Sequence, residues 1–295
     1  MNAHVVVGVD GSASSLEAVE LAAREAHLRG CGLKVVHAFT WPMMHVPLRP
    51  SPLGPPEGGL RNIADRMLAE AVEHARSTEP EVQVTSALIT GEPLTVLEAQ
   101  SRTATLVVVG TRGAGGFVGL LVGSTAVHLA AHSHCPVLVV RKQERPAQQV
   151  VVGVDGSPAG DAAVDFAFAE AALRGTPLTI LHAWTLWNAP ASELQDDGSA
   201  YTEPASNLQD SEERLVAQVL AGRTATYPGV VTEHKVVRSG AREALIQASK
   251  DAALVVLGAR GRGGFTGLLL GSVSQALLHH AHCPVAVVRG SENKQ

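Results

Sequence analysis

The same stretch of sequence occurs twice in this chain, and that repeat constrains the fold more than any other feature. Residues 5–12, Val-Val-Val-Gly-Val-Asp-Gly-Ser, return unchanged 145 positions later as residues 150–157. Near the end of each copy, the Cys-Pro-Val of 135–137 returns as 283–285. A period of this length is much longer than the repeats of a solenoid and matches the size of a whole domain.

The repeat therefore divides the 295 residues into two similar domains. We place the first domain at 1–143 and the second at 150–295, with a polar linker that contains proline at 144–149. Hydrophobic residues make up 45% of the chain, so each half can fill a core and the composition excludes a disordered protein.

Composition and charge exclude several classes of partner. The net charge is −5 and only 3% of the residues are aromatic, which argues against a nucleic-acid-binding surface. The apolar runs are much shorter than the ~20 residues that span a bilayer, so no membrane partner is expected. Three cysteines are too few for a disulfide framework and fit a reducing compartment. The first residues lack a signal-peptide pattern, and we expect a cytoplasmic protein.

Strand-like and helix-like patterns alternate within each copy. The runs at 5–9 and 106–109 are typical of strands that are buried on both faces. Ser12, and in the second copy Ser157 followed by Pro158, are expected to cap the first helix. The apolar stripe of that helix consists of Leu16, Val19, Ala23 and Ala26. The other elements predicted for the first copy are strands at 33–39, 82–88 and 137–140, helices at 60–77, at 93–101 and from Gly123-Ser124, and a proline-rich loop at 41–59.

This alternation predicts an α/β fold. We expect two tandem doubly wound domains, each a five-stranded parallel sheet with helices on both faces. In open parallel sheets, ligands bind beyond the carboxyl ends of the strands, at the point where the strand order reverses. The loops after the first and the fourth strand are therefore the places where a site is expected.

The loop after the fourth strand is rich in glycine in both copies. Its spacing is Gly, two residues, Gly, nine residues and Gly-Ser, from Gly110 to Ser124 and again from Gly258 to Ser272. Glycine lets backbone N–H groups approach an anion, and a helix N-terminus follows directly, so the pattern predicts a phosphate-binding cradle. The predicted cradle residues are Gly110, Arg112, Gly113, Ala114, Gly115, Gly116, Gly123, Ser124 and Thr125 in the first copy, and Gly258, Arg260, Gly261, Arg262, Gly263, Gly264, Gly271, Ser272 and Val273 in the second.

The same glycines would also suit a tight loop that binds nothing. Two intact copies, each after a strand and before a helix, favour the ligand. Arg112 and Arg260 either contact the phosphates or face solvent. Arg262, which stands where the first copy has Ala114, is expected to reach the γ-phosphate of a bound nucleotide.

These motifs resemble those of the universal stress proteins, in particular the tandem-domain proteins of actinobacteria. The glycine spacing, the aspartate after the first strand and the Cys-Pro-Val before the last strand carry the resemblance, which covers nearly the whole chain. It implies a sheet of order 3-2-1-4-5, one ATP per domain, and pairing through strand five, so that the two domains form a pseudo-dimer; a homodimer of chains stays open. It also implies that adenine lies near Ala38 and Ala183, the residues after the histidine of the second strand.

The aspartates after the first strand have two interpretations. A carboxylate beside a triphosphate would repel it, so Asp10 and Asp155 are assigned to the ribose or base. Alternatively, the Asp-Gly-Ser sequence forms an Asx-type cap on the following helix. Gly8 and Gly153 are expected to let the nucleotide pack against the strand. Mg²⁺ is expected only as an ion held by the phosphates of ATP.

The histidines are not expected to bind metal or to catalyse. His37 and His182 have no nucleophile near them in sequence, which favours a packing role. Two groups at helix C-termini match no established zinc spacing, and their histidines are expected to bond the last helical carbonyls. These groups are His128, His132, His134 with Cys135, and His279, His280, His282 with Cys283. Both cysteines are expected to be buried and inert.

We expect an ATP-binding stress-response regulator that is not an enzyme. The alternatives are a slow ATPase or nucleotidyl transferase on the same fold and a nucleotide-free scaffold. The sequence has no Gly-Lys-Ser/Thr element, so it has no Walker A loop. The loops at 41–59 and 185–206 differ between the copies, and the protein partner stays unknown.

Overall fold

A computed structural model describes residues 3–40, 56–111, 122–141, 143, 147–185, 205–262 and 269–290 of the chain. The chain forms two compact units, Met1–Arg141 and Lys142–Gln295. Each unit is an α/β domain in which parallel strands alternate with helices.

The described part of the first domain contains five strands and four helices. The strands are β1 (His4–Gly8), β2 (Gly32–Phe39), β3 (Val84–Thr90), β4 (Leu106–Val109) and β5 (Val137–Val139). The helices are α1 (Ala13–Leu28), α2 (Pro56–Thr78), α3 (Pro93–Ser101) and α4 (Ser124–His132).

The described part of the second domain repeats this order with one additional short helix. Its strands are β6 (Val150–Val154), β7 (Leu178–Trp184), β8 (Thr232–Arg238), β9 (Leu254–Gly258) and β10 (Val285–Val288). Its helices are α5 (Asp161–Arg174), α6 (Ala205–Leu220), α7 (Arg223–Thr226), α8 (Ala241–Ala248) and α9 (Ser272–His280).

The order of the strands determines where a ligand site is expected. It is β3-β2-β1-β4-β5 in the first domain and β8-β7-β6-β9-β10 in the second, the order that the family resemblance implies. In the first domain β1 lies between β2 and β4, so Val7 pairs with Val35 on one side and with Val108 on the other. The chain leaves β1 towards β2 and returns later to β4, so the order reverses between β1 and β4.

Helix α1 shows how local sequence fixes an element. Ser12 caps it, since Ser12 Oγ accepts a hydrogen bond from Ser15 N. Gly30 ends it in the left-handed conformation, with φ of 59°. The prediction that Leu16 belongs to the buried stripe is wrong, because Leu16 is 36% exposed and Ser15 takes the inward position instead. Val19, with the alanines around it, fills the core.

The start of α2 and the bounds of β3 also differ from the predictions. Helix α2 begins at Pro56, four residues before the predicted start, because proline at the first helical position lacks only an N–H that has no helical partner. The rest of the predicted loop, 41–55, lies outside the described residues. Strand β3 begins at Val84 because Val82 still belongs to a turn, in which its N–H bonds to Glu79 O.

The second domain begins its first helix differently. Ser157 was predicted to cap that helix, but Ser157 makes no side-chain cap, and a 3-10 turn at Pro158–Gly160 precedes α5. Gly160 N bonds to Ser157 O within this turn, whereas the matching Ser15 N in α1 bonds to both Ser12 O and Ser12 Oγ. Helix α5 therefore starts only at Asp161.

Candidate functional site

A cavity of about 130 Å³ lies at the carboxyl ends of β1, β2 and β4 in the first domain. One wall is apolar and is formed by Val36, Ala38, Pro93 and Leu97. The polar groups on the lining come from Asp10, Ser15, His37, Thr111 and Thr125, and the glycines are Gly8, Gly110 and Gly123. The cavity thus occupies the strand-order switch point, as the sequence predicted for a site.

The ends of the glycine loop are joined by one backbone hydrogen bond in each domain. Gly123 N donates to Thr111 O at 2.6 Å, and Gly271 N donates to Ala259 O at 2.7 Å. The loop therefore returns to the end of the strand from which it started. The two domains share this closure although position 111 is threonine and position 259 is alanine.

Helices α4 and α9 begin directly after this closure and have no side-chain cap. Their N-cap residues are Gly123 and Gly271, both in an extended conformation, whereas α1 is capped by the hydroxyl of Ser12. The N–H groups in the first turn of a helix have no helical partner and carry the positive end of its dipole. The first turn of α4 lines the cavity through Gly123 and Thr125.

Gly110 lets β4 end against the start of α1. A Cβ on Gly110 would lie 2.5 Å from Ser14 Oγ and 2.7 Å from Ser14 O. Ser14 Oγ also lies 3.3 Å from Thr111 Oγ1. The corresponding Gly258 is less crowded, with Arg260 O at 3.1 Å as the nearest atom. Gly110 therefore serves backbone packing beside the cavity.

The strand-one glycines contact leucine side chains. A Cβ on Gly8 would lie 2.7 Å from Leu97 Cδ1. A Cβ on Gly153 would lie 2.6 Å from Leu257 Cδ2 and 2.9 Å from Leu245 Cδ1. The space that glycine leaves open at these positions is filled by the protein's own core.

The two strand-one aspartates both bind the turn that follows them. Asp10 Oδ1 accepts hydrogen bonds from Ser12 N at 3.1 Å and Ser12 Oγ at 2.7 Å. Asp155 Oδ1 accepts from Ser157 N at 3.0 Å and Ser157 Oγ at 2.7 Å. This is the Asx geometry that the sequence offered as the alternative. Contact of either carboxylate with ribose or base stays a prediction.

The second domain has a further contact at this point. Arg262 N donates to Asp155 Oδ2 at 2.6 Å, and Arg262 Nη2 donates to Gly156 O at 3.3 Å. Arg260, Gly261 and Arg262 are all exposed. The guanidinium of Arg262, which the sequence assigned to a γ-phosphate, lies over the turn between β6 and α5.

The remaining predicted residues are distributed as follows. Ser124 and Ser272 are exposed, and Ala183 and Val273 are half-buried. The predicted cradle residues outside the described part of the chain are Arg112, Gly113, Ala114, Gly115, Gly116, Gly263 and Gly264.

Of the residues in the apolar wall of the cavity, sequence reasoning predicted Ala38 and missed the other three. Pro93 and Leu97 belong to α3, and Val36 precedes His37 in β2. Proline at the first position of α3 is visible in the sequence as a helix start. Nothing in the sequence says that this helix end lies beside β1, because that depends on how α3 packs on the sheet.

His37 and His182 tie neighbouring strands together. His37 Nδ1 bonds to Val9 O at 2.7 Å, and His182 Nδ1 bonds to Val154 O at 2.8 Å. In each domain the imidazole thus fixes the residue just before the strand-one aspartate. This contact agrees with the packing role that the sequence favoured.

The helix-end histidines also bond to the protein. His132 Nδ1 lies 2.9 Å from His128 O, a carbonyl of its own helix, and His128 Nε2 lies 3.2 Å from Glu98 Oε2. Within the described residues, no group of three or more His, Cys, Asp or Glu is placed to hold a metal ion. Cys283 is buried, whereas Cys135 is partly exposed.

Comparison with known proteins identifies the family. The Universal stress protein family matches residues 1–141 and 146–289, which together span nearly the whole chain. The chain belongs to this family. The resemblance read from the glycine spacing is thereby confirmed, as is the presence of two domains of the same family in one chain.

Relatives in the universal stress protein family match this chain over nearly their whole length. Universal stress protein Rv1996 of Mycobacterium tuberculosis is 36% identical over 315 residues, which cover 98% of this chain and 95% of that protein. Universal stress protein Rv2623 of the same organism is 37% identical over 297 residues, covering 97% and 96%. The structure of a universal stress protein from Archaeoglobus fulgidus aligns with a TM-score of 0.68 at 18% identity, and the alignment covers 97% of this chain and 98% of that one. This similarity shows the fold alone.

No helix in the described part of the chain is both long enough and apolar enough to cross a membrane.

Proposed function

We propose that each domain of this universal stress protein binds one ATP, with Mg²⁺ held by the phosphates, and that nucleotide binding regulates a stress response without being part of an enzymatic cycle. One observation carries the proposal. The uncapped first turn of α4 opens onto a cavity at the switch point of the sheet, directly after a glycine-rich loop.

The cavity has the two kinds of wall that a nucleotide needs. Val36, Ala38 and Leu97 offer carbon surface to a base, as apolar walls do in most ligand sites. The first turn of α4 offers N–H groups and a positive dipole end to phosphates, and Thr125 adds a hydroxyl. The ribose would lie between these walls, beside Asp10.

Three polar side chains of the cavity already have structural partners. Ser15 Oγ donates to Ser12 O at 2.8 Å, and His37 Nδ1 is bonded to Val9 O. Asp10 Oδ1 is held by Ser12. These contacts favour ATP that is bound without being converted over ATP that is a substrate. A turnover assay on the ATP-loaded protein distinguishes the two.

The second domain is proposed to bind ATP through the corresponding parts. Gly271 begins α9 without a side-chain cap, and the backbone bond from Gly271 N to Ala259 O closes the loop as in the first domain. Ala183 follows His182 on β7, as Ala38 follows His37 on β2. Two sites per chain are therefore expected.

Replacement of the N-cap glycine tests the proposal. Gly123→Asp places a carboxylate at the N-cap, where aspartate stabilises a helix, but the same charge repels a phosphate. Gly123→Asn has nearly the same shape, caps equally well and carries no charge. Calorimetric titration with Mg-ATP is expected to give two sites for the native chain, one for Gly123→Asp and two for Gly123→Asn.

The corresponding pair at Gly271 completes the test. Gly271→Asp is expected to remove the second site and Gly271→Asn to keep it, while the Gly123→Asp, Gly271→Asp double variant binds no ATP and stays folded. A native chain that binds no ATP would leave the nucleotide-free scaffold as the function. Binding that is indifferent to both aspartates would show that the helix N-termini are not the phosphate site.

A further inference from the structure

The glycine loop of the second domain is fastened to the turn between β6 and α5. Asp155 accepts three hydrogen bonds: two at Oδ1 from Ser157, and one at Oδ2 from Arg262 N at 2.6 Å. The first two hold the carboxylate in place, and the third attaches the loop to it. A backbone N–H bonded to a carboxylate is a charge-assisted hydrogen bond, which is stronger than a neutral one.

The contact between Asp155 and Arg262 N needs a glycine at position 261. A Cβ on Gly261 would collide with Asp155 Oδ2. The φ of Gly261 is not positive, so the backbone conformation itself does not demand glycine. Glycine at 261 therefore serves the close approach of a carboxylate from this protein.

Arg262 adds a second attachment to the same turn. Its Nη2 donates to Gly156 O at 3.3 Å. Gly156 has φ of 69°, and a Cβ there would lie 2.6 Å from Arg262 Nη2, so the guanidinium lies directly over this glycine. The first copy has Ala114 at the matching position, which has no such side chain.

We propose that Asp155 is a positioning residue: it holds the start of the glycine loop in place, so that it acts on the binding of the phosphates and not on the binding of the nucleoside. This inference rests on the proposed function, because it assigns a role within the proposed ATP site. A loop fixed before the ligand arrives loses less conformational entropy on binding, which raises affinity for the group that the loop contacts.

The proposal also removes an electrostatic difficulty. A free carboxylate near a triphosphate would repel it. In the second domain the carboxylate of Asp155 faces N–H and O–H donors of residues 157 and 262, which offset its charge locally. The aspartate is therefore compatible with phosphates nearby without contacting the ribose or the base.

Asp155→Asn separates the two roles. An amide has the same shape but only one acceptor oxygen, so it can accept from Ser157 or from Arg262 N but not from both. In a chain whose first site is closed by Gly123→Asp, we expect Asp155→Asn to weaken ATP binding roughly tenfold, as for the loss of one charged hydrogen bond. Adenosine, measured in the same way, should bind with unchanged affinity. An equal loss for ATP and adenosine would overturn the proposal in favour of a nucleoside contact.

Two substitutions at Arg262 provide a matched control. Arg262→Pro removes the backbone N–H that reaches Asp155, whereas Arg262→Ala keeps that N–H and removes only the guanidinium. We expect Arg262→Pro to lower ATP affinity as much as Asp155→Asn does, and Arg262→Ala to lower it much less. Because the two groups form one bond, the Asp155→Asn, Arg262→Pro double variant should lose no more than either single variant.

Hydrogen exchange tests the contact without any nucleotide. The Arg262 amide should exchange slowly in the native chain and in Gly123→Asp, and faster in Asp155→Asn. If the native chain binds no ATP, the proposed function fails, and the exchange result still reports on the contact. If ATP binds but the Arg262 amide exchanges at the same rate in native and Asp155→Asn chains, the positioning role is refuted while the proposed function stands.

Discussion

His182 Nε2 lies 2.7 Å from Glu212 Oε2, and both side chains are buried. The other ring nitrogen, Nδ1, faces Val154 O at 2.8 Å. A carbonyl only accepts hydrogen bonds, so Nδ1 carries a proton. The contact at Nε2 links α6 to β7 inside the second domain.

Among the described residues of the first domain, no glutamate takes the place of Glu212. Met67 lies against Gly11 as Leu215 lies against Gly156, so the two helices correspond at an offset of 148 positions. Ala64, which is buried, therefore stands where the second domain has Glu212. One domain fastens this helix by a buried polar contact, and the other by apolar packing.

Glu212→Ala is expected to destabilise the second domain by about 1–3 kcal/mol, as is typical when a buried polar group loses its hydrogen-bond partner. The loss arises because His182 keeps its buried position without an acceptor or donor for Nε2. Hydrogen exchange of core amides in β6 and β7 under native conditions measures it for this domain alone. Glu213→Ala, next along the same helix and exposed, is the control and should change stability by less than about 0.5 kcal/mol. Equal effects of the two substitutions would contradict the assignment.

The repeat and the local patterns predicted most of the fold. Strand β4 and helix α3 have the bounds that the sequence predicted, because buried β-branched runs and proline at a helix start are local signals. The predictions that were wrong concern features that local sequence patterns do not determine. Leu16 lies at the edge of the apolar stripe of α1, so only the packed helix shows that it is exposed. Ser157 has the sequence of a cap, but the chain after it forms a 3-10 turn at Pro158–Gly160 and its side chain caps no helix.

The site was predictable in outline but not in its contacts. The glycine spacing located the loop and the start of α4, because glycine and helix-start signals are both local. The contact of Gly261 and Arg262 with Asp155 joins residues more than a hundred positions apart, which spacing within one loop cannot reveal. The pairing of the two domains through strand five stays a prediction.

Burial controls the chemistry of Cys135. Burial raises the pKa of its thiol to about 12, although a backbone hydrogen bond from Val107 acts in the opposite direction. Since thiolate is the reactive form, we expect iodoacetamide to leave Cys135 unmodified at pH 9 in the folded protein and to modify it after unfolding in urea. Peptide mass spectrometry distinguishes the cysteines, with Cys31 as an internal reference. Rapid modification of Cys135 in the native chain would contradict this.

The same raised pKa contributes to stability in a defined range of pH. The folded protein holds the thiol proton more tightly than the unfolded chain, whose thiol has a pKa near 9.0. The contribution is therefore fully present below about pH 9 and is lost as the pH rises towards 12. Cys135→Ala should flatten the decline in the unfolding free energy of the first domain between these values, and an unchanged decline would count against the assignment.

Arg223 joins α7 to the start of α5. Its Nε donates to Asp165 Oδ1 at 2.6 Å and its Nη2 to Asp161 Oδ1 at 3.1 Å. Both aspartates are more than half exposed, so we expect Arg223→Ala to cost only about 1 kcal/mol of second-domain stability, and less in 1 M NaCl because salt screens exposed pairs. Arg214→Ala removes an exposed arginine of α6 whose Nε donates to the backbone carbonyl of Asp210, and it should show no comparable salt dependence.

The same substitution at two matching glycines should have different costs. A Cβ on Gly110 would lie 2.7 Å from Ser14 O and 2.8 Å from Ser14 C, so alanine there forces backbone of α1 away from β4. A Cβ on Gly258 would lie 3.1 Å from Arg260 O, a contact that a small shift of the loop relieves, and its next neighbours are at ordinary contact distances of 3.5 and 3.6 Å. We expect Gly110→Ala to destabilise its domain by about 1–3 kcal/mol, as is typical of overpacking, and Gly258→Ala to cost clearly less. Hydrogen exchange of core amides in β1 and β6 reports on each domain separately. If these glycines were needed only for phosphate binding, neither substitution would change the stability of its domain. Equal and small losses of stability for Gly110→Ala and Gly258→Ala would therefore show that Gly110 is not needed for backbone packing.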